Sequence, residues 1–95
     1  MQAPAAATTA ESRLPLRKKQ GDRRVGIHVG KRIRGRRRLL GLSQRHVAAR
    51  CGVTFQQIQK YECAASAINA TMLWKLAQAL DVPVHYFFDG LSDED

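Results

Sequence analysis

The stretch from Leu42 to Glu62, LSQRHVAARCGVTFQQIQKYE, decides the fold predicted for this chain. Ser43 and Thr54 are each placed to cap a short helix through a side-chain hydroxyl. Between those helices, Gly52 tolerates the positive φ that a tight turn requires. Ala48 has no side chain beyond Cβ, so the second helix of the pair can cross close to the first. The sequence therefore predicts two short helices packed across a tight turn.

Helical periodicity extends this pair to an all-α domain of five helices over residues 25–90. The pair occupies residues 44–51 and 54–63, and another helix is predicted from about Ile27 to Leu40, ended by Gly41. Asn69 is expected to cap the fourth helix, and Pro83 to begin a short fifth one. The residues expected to face the core are Val29, Ile33, Leu40, Val47, Ala48, Cys51, Val53, Ile58, Tyr61, Leu73, Leu76, Ala77 and Leu80.

The basic residues are concentrated in the first half of the chain. Residues 1–50 hold 14 of the 16 Lys and Arg and two acids, a net charge of +12, whereas residues 51–95 have a net charge of −4. This asymmetry indicates a polyanionic partner, either nucleic acid or an anionic membrane. Residues 31–38 carry bases on nearly all sides and lack the continuous apolar face of a membrane-surface helix. Nucleic acid is therefore the predicted partner, without a membrane.

Both ends of the chain are expected to lie outside the domain. Residues 1–24 lack apolar periodicity and are predicted to form a disordered basic arm that adds phosphate contacts. Residues 91–95 form an acidic tail. The start has no apolar signal segment and no apolar run is long enough to span a membrane, so a cytoplasmic, nucleoid-associated protein is expected.

The chain is predicted to be neither an enzyme nor a metalloprotein, and no cofactor is implied. It has no paired nucleophile and base, no paired carboxylates at helical spacing and no glycine loop to cradle a phosphate. The three histidines lack metal-ligand spacing and are expected to be solvated. The two cysteines, Cys51 and Cys63, do not complete a zinc set, and Cys51 is expected to be a buried thiol.

The stretch that decides the fold resembles the helix-turn-helix of the lambda-repressor/Cro-like (XRE) family. A second stretch, LWKLAQALDVPVHYFF, resembles the fourth and fifth helices of that family, and the match covers about Val29 to Phe88. The resemblance implies five helices, with helix three in the major groove of double-stranded DNA and helix two across the backbone. One departure follows Glu62, where the family commonly has a glycine but this chain has Cys63 and Ala64. Either Ala64 is strained or the turn has a different shape.

Helix three is predicted to contact bases through one face. Because Ile58 and Tyr61 define its buried side, the residues expected on the opposite face are Phe55, Gln56, Gln59 and Lys60. Glutamine can pair with adenine, lysine can reach guanine or a phosphate, and phenylalanine can pack on a thymine methyl. Alternatives stay open for three of them. Gln56 could be solvated, Phe55 could fold back onto the domain, and Gln59 could stop at a phosphate.

A second set of residues is predicted to contact phosphates or brace helix three: Ser43, Gln44, Thr54, Gln57, Arg37 and Arg45. By resemblance, Gln44 holds a phosphate and braces a side chain of helix three, or else it is an ordinary solvated residue. By resemblance too, Arg37 pairs with Glu62 near a phosphate, the alternative being a free phosphate contact. Thr54 and Gln57 are expected to form a capping box, with Gln57 a cap rather than a base contact.

The last helix is predicted to form a homodimer interface, with Tyr86, Phe87 and Phe88 as its residues. Three aromatic rings cannot all enter so small a core, so at least one of them is expected to be available as a hydrophobic anchor. The predicted function is sequence-specific DNA binding by a homodimeric transcriptional regulator, a repressor in the first instance. The alternative is a protein-binding adaptor or antitoxin-like module that keeps the fold without using DNA.

Overall fold

The computed structural model describes residues 15–92, with side chains from residue 23 onward. Four α-helices follow one another in this part of the chain, and they are α1 (Pro15–Leu39), α2 (Gln44–Cys51), α3 (Phe55–Glu62) and α4 (Ala70–Leu80). A 3₁₀ helix, Val84–Phe88, follows them, so the predicted fifth helix is a short 3₁₀ helix rather than an α-helix. Residues 15–92 contain no strand, and the predicted all-α class is confirmed.

The α1 helix begins at Pro15, about twelve residues before the predicted start near Ile27. The prediction that a disordered arm extends to residue 24 is therefore wrong for residues 15–24, and residues 1–14 lie outside the described residues. The prediction relied on apolar periodicity, which indicates burial, whereas this segment is rich in Leu, Arg, Lys and Gln with high intrinsic helix propensity. Pro15 also suits a first helical turn, where its missing N–H costs nothing.

All four α-helices end in a left-handed residue whose neighbours bond back to the last turn. Gly41 and Gly52 adopt φ of 72° and 73°, as predicted for the ends of α1 and α2. Ala64 adopts φ of 61° after α3, and the N–H groups of Ala64 and Ala65 bond to the carbonyls of Tyr61 and Lys60. The turn thus has the usual Schellman shape, and the strain expected at Ala64 is present, at a cost of roughly 1–2 kcal/mol.

The core lies where α1, α2, α3 and α4 meet, with the 3₁₀ helix closing one side. Its fully buried large side chains are Ile33, Val47, Ile58, Leu76, Leu80 and Phe87. The predicted inward residues Val29, Ala48, Cys51, Tyr61 and Ala77 are also buried, whereas Val53 and Leu73 are partly buried at its edge. Burial raises the pKa of the Cys51 thiol, although the nearby charge of Lys75 opposes the shift. Leu40 was expected inside but is 40% exposed, because α1 ends one residue earlier.

Gly30 allows α1 to touch the end of α3 backbone to backbone. A Cβ at this position would lie 2.6 Å from the carbonyl oxygen of Glu62 and 2.7 Å from that of Tyr61. Real Cβ atoms do not approach backbone oxygens so closely, so any larger residue would push the two helices apart. The sequence analysis did not single out this glycine. Its place inside a helix, where glycine lowers stability, was the available signal.

A row of basic side chains on α1 holds the C-terminal part of the chain through backbone carbonyls. This anchoring row repeats every four residues and consists of Arg24, His28, Arg32 and Arg36. Its acceptors, in the same order, are the carbonyls of Ser92, Asp89, Tyr86 and Leu80. The C-terminal segment therefore docks on α1 mainly through hydrogen bonds from basic residues, with the Phe87 ring beneath them in the core.

Two members of the anchoring row make further contacts, which for Arg32 include an ion pair with Asp89 at 4.0 Å. The Arg32 guanidinium covers the Tyr86 ring at 3.9 Å from its centroid, and its Nε donates to the Tyr86 carbonyl at 3.0 Å. Arg36 donates to the Leu80 carbonyl at 2.9 Å and to the Asp81 carbonyl at 3.3 Å. Because carbonyls at a helix C-terminus lack partners within the helix, Arg36 caps the end of α4.

Candidate nucleic-acid interface

The α2–α3 crossing presents one face of α3 to solvent. Ala48 is buried where the two helices cross, and Gly52 makes the turn between them with the predicted positive φ. Ile58 and Tyr61 face the core, as predicted. The opposite face is exposed at Gln56, Gln59 and Lys60. Three of the four predicted base-contacting side chains thus share an open surface of α3.

Phe55, the fourth predicted base-contacting residue, differs from the other three. Its ring is half-buried and packs against the edge of the core. The Arg45 guanidinium of α2 lies over its outer side, 4.0 Å from the ring centroid. This cation–π contact joins the first turns of α2 and α3. It also fixes the position of the Arg45 side chain, which was predicted to contact a phosphate.

A buried carboxylate ties α1, α2 and α3 together behind the exposed face. Glu62 accepts two hydrogen bonds from Arg37, at 2.6 Å from Nε and 3.0 Å from Nη2, and the pair has side-chain exposures of 4% and 11%. Gln44 donates to the same carboxylate at 3.0 Å, and Arg37 also donates to the Leu42 carbonyl. The Arg37–Glu62 pair implied by the resemblance is present, and Gln44 braces the α3 side chain. The bidentate geometry of the Arg37–Glu62 pair fixes the orientation of α3 relative to α1.

The caps of α2 and α3 are partly as predicted. The Ser43 hydroxyl accepts a hydrogen bond from the His46 backbone N–H at 3.0 Å. The His46 ring nitrogen Nδ1 accepts one from the Ser43 backbone N–H, which completes a capping box. That role for His46 was missed, because the usual residue at this position is Glu or Gln. The Thr54 hydroxyl accepts from the Gln57 N–H at 3.2 Å. The Gln57 side chain does not complete a second box.

The Gln57 amide instead donates to the Ser66 hydroxyl at 3.2 Å. The predicted capping box at Thr54 is therefore wrong in its second half. Ser66 lies in the loop after α3, and the left-handed turn at Ala64 carries the chain back toward the side of α3. This contact was not visible in the sequence, because the position of Ser66 depends on that turn. Gln57 now links α3 to the following loop.

The predicted dimer interface divides into buried and exposed parts. Phe87 is fully buried in the core, so its assignment to a dimer interface is wrong, since one ring is needed to fill the space between α1 and α4. Tyr86 is half-buried, with an edge-to-face contact to Phe87 at a centroid distance of 6.0 Å. Phe88 is 37% exposed. Of the three aromatic residues, Phe88 is the one that the fold leaves available.

Other chemistry is sparse among residues 15–92. No cluster of three or more His, Cys, Asp or Glu side chains that could hold a metal ion occurs there. Cys51 is buried and Cys63 is exposed, and both are free thiols. None of the described helices has both the length and the apolar character needed to cross a membrane.

Comparison with known proteins places these features in a family. The sequence profile of the helix-turn-helix family matches residues 33–87. An uncharacterized transcriptional regulator in the ATPase CF(0) region of Rhodospirillum rubrum is 51% identical over 71 residues, or 75% of this chain and 66% of that protein. An HTH-type transcriptional regulator of Sinorhizobium medicae is 49% identical over 65 residues, or 68% of this chain and 47% of that protein. The chain thus spans about half to two thirds of the length of these relatives.

A solved structure gives the same result for the fold. The crystal structure of the restriction-modification controller protein C.AhdI from Aeromonas hydrophila superposes with a TM-score of 0.64 at 29% identity. The alignment covers 65% of this chain and 94% of that protein. The similar proteins are regulators, a non-enzymatic class, in agreement with the prediction that this chain is not an enzyme.

Proposed function

The chain belongs to the lambda-repressor/Cro-like (XRE) helix-turn-helix family, and on this premise we propose that it is a sequence-specific double-stranded DNA-binding protein that represses transcription. One observation carries the proposal. The exposed face of α3 offers Gln56, Gln59 and Lys60 to solvent, while the buried Glu62 on the same helix is fixed by Arg37 and Gln44. Such a protein acts at the nucleoid, the localisation that the sequence analysis predicts.

The proposed base contacts follow from the chemistry of the exposed face. Gln56 lies in the first turn of α3, the part of a recognition helix that enters the major groove most deeply. Its amide pairs with adenine N6 and N7, and the Lys60 ammonium reaches guanine or a phosphate. Gln59 lies between them along the same face. Phe55 contacts a thymine methyl only with the edge of its ring, because its body packs on the domain.

The proposed phosphate contacts come from the first turns of α2 and α3. Ser43 and Thr54 cap these turns. The remaining N–H groups of each first turn point outward from the N-terminal end of the helix, where an anion is favoured. Arg45 lies beside Phe55 and adds a fixed positive charge at the same edge. Gln44 and Arg37 brace α3 from behind, and Gln57 steadies the following loop through Ser66. Helix α2 then lies across the backbone while α3 occupies the groove.

A change of Gln56 to Ala tests the proposal most sharply. Loss of a bidentate base contact costs about 1–3 kcal/mol of discrimination, so binding to a selected duplex should weaken by ~5-fold to 150-fold. Binding to random duplex should change little. Mobility-shift titrations on both duplexes at two salt concentrations measure the difference.

The matched control is Gln78→Ala, which removes an exposed glutamine from α4. It should leave both affinities unchanged. An equal fall on the two duplexes for Gln56→Ala would mean that Gln56 contacts no base. If the unaltered chain bound neither duplex, the adaptor or antitoxin-like alternative would replace DNA binding.

We propose further that the chain binds as a homodimer through Phe88, with Tyr86 at the edge of the interface. Phe88 is an exposed ring on the C-terminal segment, and a two-fold dimer would set its recognition helices about 34 Å apart, one turn of B-DNA. Phe88→Ser should give a monomer in sedimentation experiments. Leu39→Ser, at a residue 74% exposed on α1, is the control that should leave the dimer intact. A monomeric unaltered chain at high micromolar concentration, alone and on DNA, would contradict the dimer.

A further inference from the structure

A second row of basic residues on α1 has no partner among the described residues. This exposed row consists of Arg23, Lys31, Arg34 and Arg38, and the exposed Ile27 lies within it. Spacings of three and four residues place these side chains on one face of the helix. With a rise of 1.5 Å per residue, the face is about 23 Å long from residue 23 to residue 38.

The exposed row differs from the other bases of α1 in what its members contact. The anchoring row and Arg37 each hold a named acceptor. No hydrogen bond or ion pair joins Arg23, Lys31, Arg34 or Arg38 to another residue in the described part of the chain. The face also lacks an acidic residue from 23 to 38. The result is a concentrated positive charge that the described residues do not neutralise.

The exposed row lies on the side of α1 that continues from α3. Gly30 touches the carbonyl of Glu62, and a Cβ on Gly26 would lie 3.9 Å from the Ala64 Cβ, so α1 passes along the end of α3 and the loop after it. At 100° per residue, Arg23 and Arg34 fall beside Gly30 around the helix axis. The anchoring row, by contrast, faces the C-terminal segment on the other flank. The exposed row thus begins beside α3 at Arg23 and Arg34 and continues around α1 to Arg38 and Lys31.

We propose that the exposed row is a second DNA contact, which binds phosphates of the duplex that flanks the segment recognised by α3. The inference rests on the proposed function and adds a surface that α3 and the first turn of α2 do not supply. Along one strand of B-DNA a phosphate occurs every 3.4 Å of axis, so a face of about 23 Å passes roughly seven of them. Guanidinium and ammonium groups donate charge-assisted hydrogen bonds to phosphate oxygens without regard to base sequence.

The test compares two variants of equal charge. Lys31→Gln/Arg34→Gln/Arg38→Gln removes three charges from the exposed row. Lys75→Glu/Gln78→Glu lowers the net charge by the same three units at exposed positions on α4. Binding is measured as a function of salt on a selected duplex and on random duplex, each with and without ten base pairs of flanking DNA. Circular dichroism and thermal unfolding establish that both variants keep the fold.

On the flanked duplexes, the exposed-row variant should flatten the log–log salt dependence by up to ~2.7, at ~0.9 for each lost phosphate contact. The fall in affinity should be similar for selected and random sequences, and small on the duplexes without flanks. The α4 variant should show neither change.

Three outcomes would overturn the inference. A slope for the exposed-row variant equal to that of the α4 variant would mean that the row stays in solvent or serves an acidic protein. An equal loss on duplexes without flanks would place its effect at the α3 site. An unaltered chain that binds no duplex would overturn the proposed function together with the row, whereas the first two results leave the proposed function standing.

Discussion

Arg32 and Arg34 are two residues apart on α1 and end in the same guanidinium group, but only Arg32 has a contact within the domain. Arg32 donates to the Tyr86 carbonyl and covers the Tyr86 ring, whereas Arg34 is exposed and reaches no acceptor among the described residues. Two positions along a helix turn a side chain through about 200°, from the C-terminal segment to solvent. The net charge of a helix therefore does not show which of its basic residues are available to a partner until each has been assigned to a face.

The same comparison divides the net charge of the chain. Four arginines of α1, which are Arg24, Arg32, Arg36 and Arg37, donate to acceptors within the domain, so their charge is partly engaged in the fold. The exposed row keeps its charge for solvent or a ligand. Arg50 on α2 belongs with the first group, since it donates to the Ala79 carbonyl at 2.9 Å. The formal charge of +8 therefore overstates the positive field on the face of the anchoring row. It understates how strongly positive charge is concentrated on the face of the exposed row.

The largest difference in free energy of unfolding is expected between two neighbouring basic residues, Arg37 with a partner and Arg38 without one among the described residues. Arg37→Ala should lower the free energy of unfolding by about 3–5 kcal/mol, because it leaves the buried Glu62 carboxylate without its main partner. Arg38→Ala, one residue along and exposed, should change it by less than about 0.5 kcal/mol. Urea unfolding followed by circular dichroism measures both. Equal effects at the two positions would contradict the assignment of Arg37 and Arg38 to different faces of α1.

A smaller difference is expected within the anchoring row itself. Arg32→Ala should lower the free energy of unfolding by about 1–2 kcal/mol, through loss of a hydrogen bond and a cation–π contact at a side chain 32% exposed. Arg34→Ala is the matched control and should be close to neutral. If Arg32→Ala were also neutral, the hydrogen bond to the Tyr86 carbonyl would contribute nothing to docking of the C-terminal segment.

The smallest expected effect has the opposite sign. Lys31, Arg34 and Arg38 lie three and four residues apart, and like charges at these spacings destabilise a helix by a few tenths of a kcal/mol for each pair. Replacing all three with Gln should therefore raise the thermal unfolding midpoint slightly at low salt. Near 1 M salt, where screening acts within about 3 Å, the gain should vanish. A lower midpoint at low salt would show that the row has a stabilising partner.

The helix-turn-helix was predictable because its signals are local. Ser43, Gly52 and Thr54 act on backbone groups within a few residues, and Ala48 with Ile58 follows the helical period. The Arg37–Glu62 pair came from resemblance and could not have come from spacing, since 25 residues separate its members. Glutamate in the middle of a buried pattern was the available signal. Its partner depends on how α1 crosses α3.

The anchoring row could not be predicted for a different reason. Its acceptors are backbone carbonyls, and every residue has one, so the sequence of the C-terminal segment carries no sign of where Arg32 or Arg36 will bond. Phe87 and Phe88 pose a similar problem. Both are equally apolar, and only the rotation of a five-residue 3₁₀ helix against the core makes one fully buried and the other 37% exposed.

The contacts of Arg24 and His28 with Ser92 and Asp89 join parts of the chain more than sixty residues apart in sequence. Between residues 23 and 28, Val25 is the one apolar side chain that packs against the core, and none of residues 89–92 belongs to the core. Because the core holds these two stretches weakly, each depends on the other for order. The two therefore form a single cooperative unit that opens together, below the free energy of global unfolding and without disturbing α2 or α3. Loosening of one stretch is then felt at the other, while α2 and α3 keep their protection.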